Sequence, residues 1–490
     1  MTRMNGLQWL VAVAVTVAIG AFALHHIGPA EIKNDASQNL QMALNLSHHA
    51  TISLDTAAPY RPSMYREPLP ILADAIAVSM LDLELGRTEP RAYFSGVRAR
   101  LLKGPNILWL GVLALAVFAA TRAFTGSFWI ALAAAALSLK PFLDESNLDT
   151  LNTDLPAAAL LALVSLAVVR AMFHGRRPQA LAAGAGFGLL ALTKAAALYV
   201  GCGVVLALLV GHYAGIAELR GPRFRLQLAL LVGSFLIVVA PWIARNAGTF
   251  GRAQITERGG LAVYTRGLMD QMTPTEYRGT FYVWARPRLQ HTLGALLGFG
   301  PGDLHLGGRL QRLNEDLGSQ VDALGLAAEN AGRPEAAPSF WRQGRAQREK
   351  LESEFERRGE PYPDVAADRV MQEQGLQMVM RHFARNLALS VPLLWRGGPL
   401  SFVALLLALA YSVQARRPAF ALFLLPALGM LLFYALFSDL LPRYGLLAQP
   451  TAVAGILIAL CAFGARRASF EHASASAHHA KAPTIVRDPR

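Results

Sequence analysis

Residues 33–46 read KNDASQNLQMALNL and follow, after a few positions, an apolar run at 7–24. A run of that length crosses a bilayer, so the stretch emerges on the far membrane face and carries an acid, Asp35, to it. An acid at that level can meet a lipid-borne substrate. Asn34 and Asp35 also suit a plain helix cap, because both residue types accept hydrogen bonds from the first amides of a helix, here one starting at Ala36.

The rest of the chain places this stretch in a membrane. Of 490 residues, 53% are hydrophobic and only 16% charged, against about 25% charged in soluble proteins. Apolar runs near 7–24, 104–121, 127–143, 154–173, 179–193, 195–211, 226–243, 399–415, 418–437 and 446–464 predict about ten spans. The first run ends in AFALHH without a small-residue cleavage site, which favours a retained anchor over a signal peptide. Cys202 and Cys461 fall within apolar runs and read as small buried hydrophobes, not as a disulfide or metal framework.

The net charge of +13 does not point to nucleic acid, because the basic residues are scattered among short loops. The positive-inside rule accounts for them. With Arg3 inside, the cytoplasmic segments contain Arg122, Arg170 to Arg177, Arg220 to Arg225, Arg416 with Arg417, and Arg466 onward. Segments 25–103, 144–153, 244–398 and 438–445 then lie outside. Residues 68–83 are read as a helix in the outer interface with Asp74 and Asp82 toward water. The large loop is read as mixed and Gly-rich at 244–300, then as charged helix at 308–331 and 338–358. A further helix with apolar spacing is expected at 364–384, the whole forming a helical cap. The domain plan is a transmembrane module at 1–243, the cap at 244–398, C-terminal spans at 399–464 and a disordered cytoplasmic tail at 465–490. No glycine-loop motif of a nucleotide-binding domain is present.

Four segments resemble, in order and in outer placement, the GT-C class of membrane glycosyltransferases that use polyprenyl-phosphate sugars, in the branch of protein mannosyltransferases and the aminoarabinose transferase of lipid A. They are NDASQNLQMALNL with YREPLPILADAIA (65–77), DTLNTDLPAAALLAL (149–163), APWIARNAGTFGRAQITERGGLAVYTRG (240–267) and PRYGLLAQP (442–450). The segments cover about a third of the chain. DESNLD at 144–149 departs from a DxD metal motif, and the large loop carries more charged helix than the family pattern.

The resemblance implies an all-α polytopic GT-C-like bundle with an extracytoplasmic helical cap in a bacterial inner membrane. The implied partners are a polyprenyl-phosphate-linked sugar, membrane lipids and a lipid, glycan or protein acceptor. No organic cofactor is implied, and a divalent metal stays open. Asp35 is the expected general base, which takes the proton of an acceptor hydroxyl or amine if partly desolvated. Asp154 or Asp149 is the expected second acid, orienting the acceptor or contacting sugar hydroxyls, although at Asp154 a carboxylate at the start of a span also suits the helix dipole. Lys194, Arg245, Arg258 and Arg443, with Tyr444, are the candidates to hold the departing phosphate.

Lys194 interrupts GLLALTKAAALYV, and a charge between apolar runs is costly unless it pairs, binds a ligand or snorkels. Arg245 and Arg443 equally suit interface anchors, and Tyr444 an aromatic belt. The pairs His25–His26 and His48–His49 are not read as metal ligands, since neighbouring histidines seldom ligate one ion well. The rival readings are a flippase for lipid-linked sugars, an O-antigen-ligase-like enzyme with its key residues in the large loop, and a non-catalytic scaffold.

Overall fold

The computed structural model describes residues 6–315 and 338–480, and the backbone alone for 145–146 and 465–480. All regular structure among the described residues is helical. Six helices are long and apolar enough to cross a membrane: Gly6–His26, Gly96–Thr125, Asp154–His174, Ala196–Tyr213, Phe224–Phe250 and Pro418–Phe437. A seventh is reached if Phe383–Arg396 and Pro399–Gln414, bent by 107° at their junction, form one span. The chain is a multi-pass membrane protein. Fewer full spans result than there are apolar runs, because the runs at 127–143, 179–193 and 446–464 fold as Phe128–Phe142, Arg177–Ala191 and Gln449–Gly464. At 1.5 Å per residue, the 15 residues of Arg177–Ala191 fall short of a hydrocarbon core of roughly 30 Å.

Asp154–His174 is the hub, the most buried of these helices, and it packs on Arg177–Ala191, Asn106–Thr125 and Pro418–Phe437. Small residues allow the tight approaches that hold helices together in lipid. A Cβ on Gly184 would stand 1.9 Å from the Leu231 carbonyl oxygen, so no other residue fits between Arg177–Ala191 and Phe224–Phe250. The connectivity gathers Asp154, Lys194 and Ser438 at one end of the bundle, with the arginine-bearing turns near 175, 220 and 416 at the other.

Asn34–His49 and Pro68–Leu85 pack together in the first loop. Pro68–Leu85 is not among the span candidates, in keeping with an interfacial helix, but its acids face the other way from the expectation. Asp82 meets His48 Nε2 at 2.8 Å, with Tyr93 and Arg98 beside it. Asp74 Oδ2 is enclosed, and burial lifts its carboxyl to about 8. Leu72, Ile76, Met80 and Leu83 point outward, Leu83 87% exposed. The apolar face is the exposed one; Asp82 finds its partners on the inner side, whereas the enclosed Asp74 Oδ2 has no hydrogen-bond partner among the described residues. Cys202 is likewise exposed on its span, not buried.

The cap packs Gly259–Leu268 against Phe340–Arg357 and Pro363–Arg381. Charged helix was expected at 338–358 and apolar-spaced helix at 364–384, and helices stand in both places. Most of the helix expected at 308–331 lies outside the described residues, and its beginning is a short 3-10 turn at Gln311–Leu313. Phe224–Phe250 continues past Pro241 to Phe250, so the large loop begins inside a helix. The last helix runs Gln449–Ala480, and the backbone of 465–480 is helical where disorder was expected. Its Ala-rich sequence extends a helix already nucleated by the apolar run.

Candidate active site

The helix bearing Asp35 starts at Asn34, with Lys33 at the N-cap and no side-chain capping bond. Asp35 is therefore no cap. Its carboxylate turns to three arginines from three distant segments: Arg66 binds Oδ1, Arg443 Nη2 lies 2.6 Å from Oδ2, and Arg258 Nη1 lies 3.9 Å from Oδ1. Each arginine is placed by a helix start. Arg66 stands two residues before Pro68, Arg258 just before Gly259–Leu268, and Arg443 one residue into Pro442–Leu446. Proline at such starts presets φ without losing a needed amide. Arg66 also donates from Nε to Gln38 at 3.0 Å. Burial raises the Asp35 carboxyl, but Arg66, by hydrogen bond and charge, then Arg258 and Arg443 outweigh it, holding it well below the usual carboxylate range.

Asp154 opens the hub helix and pairs with Lys194 at 2.7 Å, both side chains buried. The pairing explains how Lys194 is tolerated between apolar runs, since a buried charge needs a partner, and it excludes snorkelling. Lys194 Nζ and the Arg443 guanidinium each lie 5.4 Å from the Tyr444 ring, which stacks on Tyr434.

These groups line one cavity of about 700 Å³. Asp35, Asp154, Lys194, Arg258, Arg443 and Tyr444 are all on its wall. Asp149 and Arg245 are not. Asp149 accepts from the Gly28 amide at 2.8 Å and from Lys103 Nζ at 2.9 Å, pinning the first loop to the second. Arg245 donates to the Ser63 carbonyl at 3.1 Å and lies over Trp242. Both serve packing: an amide and an ammonium occupy Asp149, and carbonyl oxygens and aromatic rings occupy Arg245.

Sequence reasoning missed Arg66, Glu67, Trp341 and Gln372, all on the same wall. Arg66 and Glu67 sit inside YREPLPILADAIA, so a signal existed, and Arg66 is the partner nearest Asp35. Glu67 receives the Ala195 amide at 3.5 Å and is otherwise the least engaged of these carboxylates among the described residues. Trp341 and Gln372 come from the cap and carried no signal.

The cavity has two characters. Its head holds three guanidiniums around one carboxylate, with Glu67 close to Arg258, which leaves positive charge for an anion. Its side is apolar and open: Tyr199 is 54% exposed, Leu376 40% and Phe437 38%. The arrangement can hold an anionic headgroup while its tail lies along the spans. Among the described residues, no group of three or more His, Cys, Asp or Glu is placed to hold a metal ion.

No protein-family model and no curated protein matches the chain. Two solved structures resemble it. The crystal structure of ArnT from Cupriavidus metallidurans bound to undecaprenyl phosphate has 14% identity and a TM-score of 0.36, over 91% of this chain and 78% of that one. The same protein in the apo state has 13% identity and a TM-score of 0.35, over 91% and 77%. The likeness is distant, and the functional reading rests on the chain's own side chains.

Proposed function

We propose that the protein is an integral membrane glycosyltransferase of the GT-C type, which moves a sugar from a polyprenyl-phosphate donor to an acceptor on the extracytoplasmic side of a bacterial inner membrane. One observation carries the reading: the Arg66, Arg258 and Arg443 guanidiniums converge at the head of a cavity whose side opens onto exposed apolar residues. That combination suits a lipid phosphate, with guanidiniums matched to phosphate oxygens and the apolar side to a polyprenyl tail. The outer placement is supported by the arginine-bearing turns at the opposite end of the bundle.

In this reading the acceptor oxygen or nitrogen attacks the anomeric carbon with inversion. The bond from that carbon to the phosphate oxygen breaks, and polyprenyl phosphate leaves with its charge against the guanidiniums. Asp35 takes the acceptor proton. Before the donor arrives it is a weak base, held by three arginines. The donor's phosphate competes for the same N–H groups, and each guanidinium that turns to it returns basicity to Asp35. The buried Asp154–Lys194 pair keeps the floor of the cavity rigid and holds Tyr444 in place.

The test is donor turnover by the purified protein in lipid, with a panel of polyprenyl-phosphate sugars and a membrane extract as acceptor. Release of polyprenyl phosphate matched by sugar incorporation is the expected result. No donor consumed, with lipid-linked sugar crossing the bilayer, would replace this reading with a flippase.

A further inference from the structure

We infer that Tyr65 is a positioning residue that couples the cap to the anion-binding arginines. Its ring carries three guanidiniums, from Arg66 at 5.4 Å, Arg258 at 5.2 Å and Arg348 at 5.2 Å from the centroid. Arg66 and Arg258 line the cavity and reach Asp35, whereas Arg348 does not line it and comes from the cap helix Phe340–Arg357. A cap residue and two site residues thus share one aromatic ring.

Three like charges around one ring repel one another, and the arrangement stands because two attractions oppose the repulsion. The ring face attracts each cation, and carboxylates sit on the outer sides: Asp35 beside Arg66 and Arg258, Glu257 at 3.0 Å and Glu352 at 2.5 Å from Arg348. The circuit also closes through the backbone. The Glu257 amide donates to the Met64 carbonyl at 3.2 Å, which ties the residue before Arg258 to the residue before Tyr65. Tyr65 is held in turn by its own amide donating to Ser63 Oγ at 3.1 Å. Arg348 and Glu257 are both buried, so the circuit is shielded from solvent screening.

A shift of Phe340–Arg357 therefore moves Arg348 against the ring, and the ring moves the two guanidiniums that face the cavity. By linkage the effect runs both ways: an anion that fixes Arg66 and Arg258 stabilises the docked cap. The inference rests on the proposed phosphate site and adds that the docked cap sets its affinity.

The experiment uses the full chain in lipid nanodiscs, with sugar-free polyprenyl phosphate as the probe. Affinity is measured for wild type, Tyr65→Phe, Tyr65→Leu and Arg348→Met, and hydrogen exchange of 340–357 is followed with and without the probe. Tyr65→Phe, which keeps the ring, is expected to bind as wild type. Tyr65→Leu and Arg348→Met are expected to bind about 5- to 30-fold more weakly, the range of one desolvated cation–π contact. The probe should slow exchange of 340–357 in wild type and Tyr65→Phe only. Should Tyr65→Leu fail to fold, Arg348→Met decides alone, since it lies outside the cavity. Wild-type affinity and unchanged exchange coupling in Arg348→Met overturn the inference and leave the phosphate site standing. A wild type that binds no probe overturns both.

Discussion

Arg443 Nη2 lies 2.6 Å from Oδ2 of Asp35, across 408 positions of sequence. The contact joins a segment after the first span to one after Pro418–Phe437, so the two ends of the membrane domain meet at one carboxylate. Arg66 and Arg258 complete the ring of charge. An anion placed there competes with Asp35 for cations supplied by the whole fold, which makes the site sensitive to any change in how its loops pack.

Asp35→Asn keeps the shape of the side chain but removes both its basicity and its charge. Turnover should fall by about two orders of magnitude or more, as loss of a general base does. Polyprenyl phosphate should bind at least as tightly, because three guanidiniums lose their shared counter-ion. Steady-state release of polyprenyl phosphate with a binding titration checks both. A turnover equal to wild type would leave Asp35 as an organiser of the arginines alone.

Glu67→Gln tests the other carboxylate on the wall. With Asp35 as base, the loss should stay below about tenfold, smaller than the 10²–10⁴ typical of a general base. If instead it matches that of Asp35→Asn, the proton goes to Glu67. The same turnover assay, run across pH, separates the two.

Breaking the Asp154–Lys194 pair strands one buried charge. Asp154→Asn or Lys194→Met should each cost about 3–5 kcal/mol, as removal of one partner of a buried pair does, and the double variant less than the sum. Thermal unfolding of the four proteins in detergent gives the cycle.

Asp149→Asn should act on stability and not on chemistry. Lys103 is fully buried and loses its carboxylate partner, a loss of about 3 kcal/mol or more. The cavity wall does not include Asp149, so the folded fraction should turn over donor as wild type does. A higher donor KM in correctly folded protein would restore Asp149 to the site.

The cap should loosen as pH rises. Burial raises the Asp368 carboxyl to about 7, against the opposing pull of Arg348, the Gly260 and Leu261 amides and Arg252. Burial and Asp364 raise Glu257 in the same direction. An unfolded aspartate titrates near 3.9, at about its reference value, so the folded cap binds more protons between that value and about 7. The stability this contributes is complete below the unfolded pKa and is lost as pH climbs through the folded one. Hydrogen exchange at 259–268 and 363–381 should therefore show less protection at pH 8 than at pH 5.5, after correction for intrinsic rates. Asp368→Asn should reduce the difference.

The sequence by itself determined what is local: the apolar runs, the helices at 340–357 and 363–381, and the residue types that gather at helix starts at one end of the bundle. Those features are set by spacing along the chain and need no distant partner. Six of the eight candidate residues then fell on one cavity wall, because the loops that join packed spans at one end of the bundle converge there. Tertiary structure alone decided which charges pair. Arg66 and Arg245 are both arginines in segments expected outside, and only folding sends one to Asp35 and the other to the Ser63 carbonyl. It also decided which way Pro68–Leu85 faces. Lipid and protein interior are both apolar, so hydropathy registers a stripe such as Leu72, Ile76, Met80 and Leu83 without telling which of the two it meets. The inward turn of Asp82 depends on His48, Tyr93 and Arg98 being there to receive it.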